Sequence, residues 1–182
     1  WPLHNLDLYG GRYSPMAQIN RDNVATLTPR WLFQHGVIDG VSNQTTPVIV
    51  DGVMYVTDSR GSVYAVNAAD GHLIWIYDVT ELLAGARREG YIFRHRGVTY
   101  EDGVVYSAAG SFIFALDAKT GVPVADFGEN GYVDLARDLV KPGARVRCIS
   151  TPIVSHDIVV SQVIPVGGPN AIESTPGHLQ GY

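Results

Sequence analysis

"YAVNAADGHLIW", residues 64–75, is echoed by "FALDAKTGVPVA", residues 114–125. Ala65 falls in register with Ala115 and Gly71 with Gly121, while Trp75 is answered by Ala125. Self-similarity at a fixed spacing marks a repeated structural unit. The unit extends upstream, because "TTPVIVDGVMYVTDSRG" (residues 45–61) leads into the first copy and "RGVTYEDGVVYSAAG" (residues 96–110) into the second. A third copy opens with "STPIVSHDIVVS" at Ser150 and runs to "GHLQGY" at Tyr182, short of the D-x-x-x-G-x-x-x-W end of the unit. The sequence therefore divides into an opening segment, residues 1–44, two units, 45–77 and 96–127, and a partial third, 150–182.

Each unit reads as strands. Val48, Ile49 and Val50 form a β-branched run. Asp51-Gly52 is a two-residue hairpin turn, because Gly accepts positive φ and Asp tolerates it. Residues 53–57 and 62–67 continue the pattern. "NAADG" turns the chain again into residues 73–77. The second unit repeats this with turns at Asp102-Gly103, Gly110 and Lys119-Thr120-Gly121. Four short antiparallel strands per unit of roughly fifty residues is the pattern of a β-propeller blade. The fold class is thus all-β, with this chain covering about three blades. A propeller closes on itself, and two and a half units leave free edges, so the segment is expected to belong to a longer propeller.

Helical periodicity is scarce. "RDNVATL" before Pro29, opened by Asn20, and "DVTELLAGARR", capped by Asp78 or Thr80, are the segments expected to be helical. The formal net charge is −5 and no basic stripe is present, which argues against a nucleic-acid partner. No apolar run approaches membrane-spanning length. The single Cys148 cannot form an internal disulfide.

"YGGRYSPMAQINRDNVATLTPRWLFQHG" at the start, then "TTPVIVDGVMYV", "RGVTYEDGVVY", "ALDAKTG" and "PGHLQGY" in that order, resembles the quinoprotein dehydrogenases. These are alcohol and glucose dehydrogenases that use pyrroloquinoline quinone. "DFGENGYVDL", residues 126–135, looks most like the glucose-dehydrogenase branch. The resemblance implies an eight-bladed propeller of which this chain is the N-terminal part. It also implies a periplasmic location and a Ca2+ or lanthanide ion beside the quinone. Trp75 would pack between adjacent blades, and its absence at Ala125 would mark a longer loop between blades.

The implied activity is hydride transfer from the hydroxyl carbon of a small alcohol or sugar to the quinone carbonyl. The cation would polarise that carbonyl, a carboxylate from a later blade would take the hydroxyl proton, and a cytochrome or quinone would accept the electrons. The 182 residues alone are expected to be inactive, with no catalytic residue among them. Equivalent positions at the start of each blade converge on one ligand, and the repeats place Thr45, Arg96 and Ser150 at one level. Arg96, in His95-Arg96-Gly97, matches the family's cofactor-binding arginine, and a guanidinium suits a carboxylate or quinone oxygen. Gln44 falls where the alcohol branch carries a glutamate contacting the quinone. Ser150 neighbours Ile149, the position of a threonine in that branch. Glu173, the only acid in the stretch that carries the alcohol branch's metal-binding glutamate, reads as a solvated loop residue. The competing readings are a non-catalytic propeller scaffold for protein binding, which would share "ALDAKTG" but does not need "RYSPMAQIN" or "FGENGYVDL", and an inactive truncated product.

Overall fold

The hairpin that opens each repeat is set by its turn. Asp51 (φ 48°) and Gly52 (φ 79°) both take left-handed backbone, as do Asp102 (φ 44°) and Gly103 (φ 83°), the geometry that matches the twist of two antiparallel strands. In the computed structural model, which describes residues 9–37, 43–84, 95–137, 146–166 and 178–181, three four-stranded antiparallel sheets follow from these turns. The first sheet runs in order through β1 (Val48–Val50), β2 (Val53–Thr57), β3 (Val63–Asn67) and β4 (Leu73–Tyr77). The second holds β5 (Thr99–Glu101), β6 (Val104–Ala109), β7 (Phe112–Asp117) and β8 (Tyr132–Asp134). In the third, β9 (Val146–Arg147) and β10 (Ile153–Ser155) share one edge of β11 (Ile158–Pro165), and β12 (His178–Gly181) takes the other.

The sheets stand side by side with their first strands together. Thr46 forms a parallel bridge with Gly97 and its N–H donates to the Arg96 carbonyl at 3.1 Å. The Thr99 hydroxyl donates to the Pro152 carbonyl one sheet further on. Gly97 is required there: its φ is +117°, and a Cβ would sit 2.6 Å from the Thr46 carbonyl oxygen. Successive first strands in contact, with the fourth strands outermost, are the arrangement of adjacent propeller blades.

Apolar layers fill the spaces between sheets. Val48, Tyr55, Val63, Val98, Val105 and Phe114 join the first to the second. Ala108, Ile113, Leu135, Val146, Val159 and Val163 join the second to the third. Strand β7 is covered on both faces, which is why its sequence, "FIFAL", lacks the polar alternation of a half-exposed strand. Trp75 is the bolt between the first two sheets. Its indole N–H donates to the Ala118 carbonyl at 3.0 Å. Its ring lies where a Cβ on Gly121 would come within 2.7 Å. Gly121 also has φ +72°, so Gly121→Ala would strain the backbone and push the ring. A loss of about 2 kcal/mol or more is expected, read as a lower urea midpoint of the full-length protein.

The opening segment repeats this bolt. Trp31 donates its N–H to the Ala68 carbonyl at 3.0 Å and covers Gly71 as Trp75 covers Gly121. From Trp31 to Val37 the exposure alternates residue by residue, as in a strand with one face down. Phe33 meets Tyr64 edge-on at 5.5 Å. "WLF" at residues 31–33 is thus the counterpart of "WIY" at 75–77.

Three expectations need correction. The helix expected near Asn20 is one 3-10 turn, Val24–Thr26, with no buried residue. Asn20 does open the turn that leads into it, as an N-cap does: its Oδ1 accepts from the Asp22 N–H, its own N–H donates to the Asn23 Oδ1, and its carbonyl accepts from the Val24 N–H at 3.0 Å. Without an apolar face to bury, so short a segment gains nothing to offset helix nucleation. In the segment beginning at Asp78, residues 79–84 are turns, held by Leu83 N–H to the Val79 carbonyl; residues 85–90 lie outside the described residues, as does Glu173. Finally, the residues after Ala125 do not leave for the next sheet. Pro123 bridges Leu116, the chain detours, and β8 returns to pair with β7 through Phe114↔Tyr132. The second sheet therefore reaches Asp134, beyond residue 127, and the third begins at Val146, before Ser150.

Candidate cofactor-binding edge

The residues just ahead of β1, β5 and β10 form the candidate site. Thr45 is fixed from its own sheet: its Oγ1 accepts from the Thr57 hydroxyl at 3.0 Å and from the Thr57 N–H at 3.2 Å. Its N–H donates to Asn43 Oδ1 at 3.3 Å. The Thr46–Arg96 main-chain bond then sets the height of Arg96 against Thr45. Arg96 is exposed, and its guanidinium makes no ion pair among the described residues. Gln44 is exposed one residue before Thr45. The structure thus brings Gln44, Thr45 and Arg96 to adjoining strand ends, as the repeat register predicts.

Ser150 sits differently. Ile164 pairs with Arg147 and Val160 with Ile153, so five residues, 148–152, oppose three, 161–163. This two-residue bulge carries Ser150 out of the regular ladder. Its hydroxyl donates to Gln162 Oε1 at 3.0 Å. Cys148 Sγ lies 2.9 Å from the Ser161 hydroxyl, and its backbone N–H donates to the Gly110 carbonyl at 2.8 Å. Burial pushes the Cys148 thiol pKa up, so it stays a neutral packed group.

His95, next to Arg96, is a packed residue. It is 5 % exposed, with its ring in the place a Cβ on Gly61 would need. Burial pushes its pKa down to about 4, against the opposing pull of the Asp58 carboxylate and of backbone hydrogen bonds at Ala108 and Arg60. Asp58, itself buried, ties the turn on which His95 rests. One carboxylate oxygen accepts from the N–H groups of Arg60, Gly61 and Ser62 at 2.8, 2.9 and 3.0 Å, and the other accepts from the Tyr64 hydroxyl at 3.0 Å. Burial and this neighbouring carboxylate raise the pKa of Tyr64. Sequence reasoning passed over Asp58 and Tyr64; an Asx-turn signal, Asp58-Ser59-Arg60-Gly61, was present.

A titration follows from His95. The folded protein holds it neutral while the unfolded chain protonates it near the ordinary 6.5. Its contribution is full above that value and declines as pH falls from 6.5 through about 4, where it levels off. The loss is on the order of 3 kcal/mol. Urea midpoints of the full-length protein across this window should fall with pH, and His95→Gln should flatten the slope.

The chemistry of the edge is that of an anion or carbonyl cradle. It offers an exposed guanidinium carried on a main chain that the Thr46–Arg96 bond ties down, an amide and a hydroxyl. These residues fit the acidic rim of a planar quinone. Among the described residues no three His, Cys, Asp or Glu side chains cluster.

The family model "PQQ: Glucose/ethanol/alcohol dehydrogenase, beta-propeller domain" matches residues 1–182. The chain belongs to the PQQ-dependent dehydrogenase propellers. It is 35 % identical over 122 residues to the 1-butanol dehydrogenase (cytochrome c) of Thauera butanivorans, covering 66 % of this chain and 17 % of that protein. With the quinoprotein glucose dehydrogenase of Escherichia coli it shares 27 % identity over 187 residues, covering 88 % of this chain and 23 % of the relative. The crystal structure of the quinohemoprotein alcohol dehydrogenase from Comamonas testosteroni superposes with a TM-score of 0.75 at 29 % identity, over 90 % of this chain and 23 % of that one. The chain thus spans less than a quarter of the length of these relatives, and as a PQQ-dehydrogenase segment it is a partial propeller.

Proposed function

We propose that this chain forms one wall of the quinone site in a periplasmic dehydrogenase that oxidises an alcohol or sugar hydroxyl. The observation that carries the reading is Arg96, placed at the start of a first strand and held there by the Thr46–Arg96 main-chain bond. When bound, pyrroloquinoline quinone supplies the carbonyl that accepts a hydride, with Ca2+ or a lanthanide ion as the Lewis acid. The chain's own part is binding and orientation. Arg96 donates two parallel N–H groups to an anionic or carbonyl oxygen and fixes the plane of the ring. Gln44, one residue before Thr45 on the neighbouring strand, supplies an amide N–H and an acceptor without adding charge. Ser150 adds an oxygen acceptor while its proton is engaged by Gln162. The Thr46–Arg96 bond ties the main chain of Arg96 to the residues ahead of β1, which limits the backbone ordering cost at binding. The catalytic carboxylate and the cation ligands belong, on this reading, to the rest of the propeller, and the electrons pass to a cytochrome or a quinone.

The test uses the full-length protein prepared without quinone. Titration with pyrroloquinoline quinone and Ca2+, or a lanthanide, should give a saturable bound-quinone absorbance and dye reduction with ethanol, 1-butanol or glucose. Absence of saturable binding under all these ions would remove the reading. Binding without turnover on any of the three substrates would retain the site and redirect the substrate class.

A further inference from the structure

Arg147 carries a buried donor with nothing to donate to. Its Nε is sealed from solvent and has no hydrogen-bond partner, and the side chain forms no ion pair among the described residues. A buried donor left unpaired is costly, most of all in a charged group, so it marks a place where an acceptor is due. The residues on either side are accounted for. Val146 and Cys148 pack in the apolar layer between the second and third sheets. Arg147, between them on the strand and only partly buried, turns its side chain off that layer.

Register gives its place. Val48, Thr99 and Ile153 on the first strands face Tyr55, Tyr106 and Val160 on the second strands. Four residues further along those second strands come Ser59, Gly110 and Ile164. Continued at the same count, the first strands set Gln44 against Ser59, and His95, next to Arg96, against Gly110. In the third sheet that count would set Ile149 against Ile164. The bulge at residues 148–152 changes the outcome, and Ile164 pairs with Arg147. Bulges beside functional sites re-aim side chains in this way. The Cys148 N–H fastens the stretch to the Gly110 carbonyl at 2.8 Å, one residue from Ala109, which borders the same Gly61 position as His95. The third sheet thus brings a guanidinium to the row where the first brings Gln44 and the second brings His95 and Arg96.

We propose that Arg147 is a further quinone-binding residue, whose guanidinium takes a carboxylate of the ring's acidic rim. The proposal rests on the quinone-site reading given above. A carboxylate suits the unpaired donor, because a guanidinium presents Nε–H and a terminal N–H as a parallel pair to two carboxylate oxygens. The ligand carries several carboxylates, and the chain's formal net charge of −5 would by itself repel it. Guanidinium groups on two neighbouring sheets, Arg96 and Arg147, reverse that sign where the ligand sits.

Arg147→Met in the full-length protein, prepared without quinone, separates ligand binding from packing. Met keeps an apolar stem and deletes the donors. The melting temperature of the quinone-free protein should stay level or rise, since an unpaired buried donor is removed. Affinity for pyrroloquinoline quinone, read from bound-quinone absorbance at fixed Ca2+, should fall by about 10-fold or more. Arg147→Lys keeps the charge but not the fork, and its affinity should lie between those of the parent and Arg147→Met. Unchanged affinity in both variants would overturn the proposal. So would a quinone-free melting temperature lowered by several degrees in Arg147→Met, because the acceptor for Nε would then be protein. Absence of saturable binding to the parent protein is a different failure: it removes the quinone-site reading itself, and the proposal with it.

Discussion

Arg96→Ala in the full-length protein is expected to weaken quinone binding by roughly 30-fold or more, because truncating one partner of a desolvated, hydrogen-bonded charge pair costs about 2–5 kcal/mol. The size of the effect rests on geometry. The Arg96 main chain is fixed by the bond from Thr46, and Gly97 allows that approach because it lacks a Cβ. The main chain at this position therefore needs little reorganisation to meet a ligand; the exposed side chain is ordered on binding. Arg96→Lys keeps the charge but not the planar fork, so it should recover only part of the affinity. The measurement is a quinone titration at fixed cation concentration, with far-ultraviolet circular dichroism to confirm the fold of each variant. Equal affinity in wild type and Arg96→Ala would take Arg96 out of the site. A drop matched by loss of the circular dichroism signal would make it a packing residue instead.

The parts of this architecture that were legible in the sequence are those with local causes. Asp51-Gly52 and Asp102-Gly103 specify two-residue turns through backbone conformation alone, and the strands on either side follow. Trp75 was legible because Gly71, Gly121 and the corner residues recur at one spacing. Arg96 could be placed against Thr45 because equal register in equal sheets puts equal positions side by side. What was hidden depends on distant partners. β8 is invisible locally, because Pro123 starts the fourth strand and a detour of several residues intervenes before Tyr132 resumes it. The slot aligned with Trp75 holds Ala125, while Phe127 of the detour meets Tyr106 edge-on at 5.7 Å. Ser150 stands three residues before Ile153, as Thr45 stands before Val48 and Arg96 before Thr99, so the count holds; what it could not show is the bulge at residues 148–152 in which Ser150 lies. Trp31 was missed because only the likeness of "WLF" to "WIY" signals it. The segment near Asn20 shows helix signals without the buried face that would stabilise a helix.

Trp75→Ala should be the most destabilising single substitution in the first interface, at about 3–5 kcal/mol. Trp75 is 9 % exposed and touches Tyr55 on its own sheet and the Ala118–Gly121 corner on the next. Two terms contribute, and a second substitution separates them. Removing the indole leaves a cavity between two sheets whose first strands are already joined by the Thr46–Gly97 bridge. Removing the N–H alone costs less, since the Ala118 carbonyl still accepts from the Tyr55 hydroxyl at 3.1 Å and is not orphaned. Trp75→Phe, which keeps a ring and loses the donor, is therefore expected to cost about 1–2 kcal/mol. Urea unfolding of the full-length protein checks both values. If Trp75→Phe cost as much as Trp75→Ala, the hydrogen bond rather than the ring would join the sheets. Trp31 over Gly71 and Trp75 over Gly121 are thus tied by one physical question: whether an aromatic ring over a glycine corner suffices to hold it without the donor.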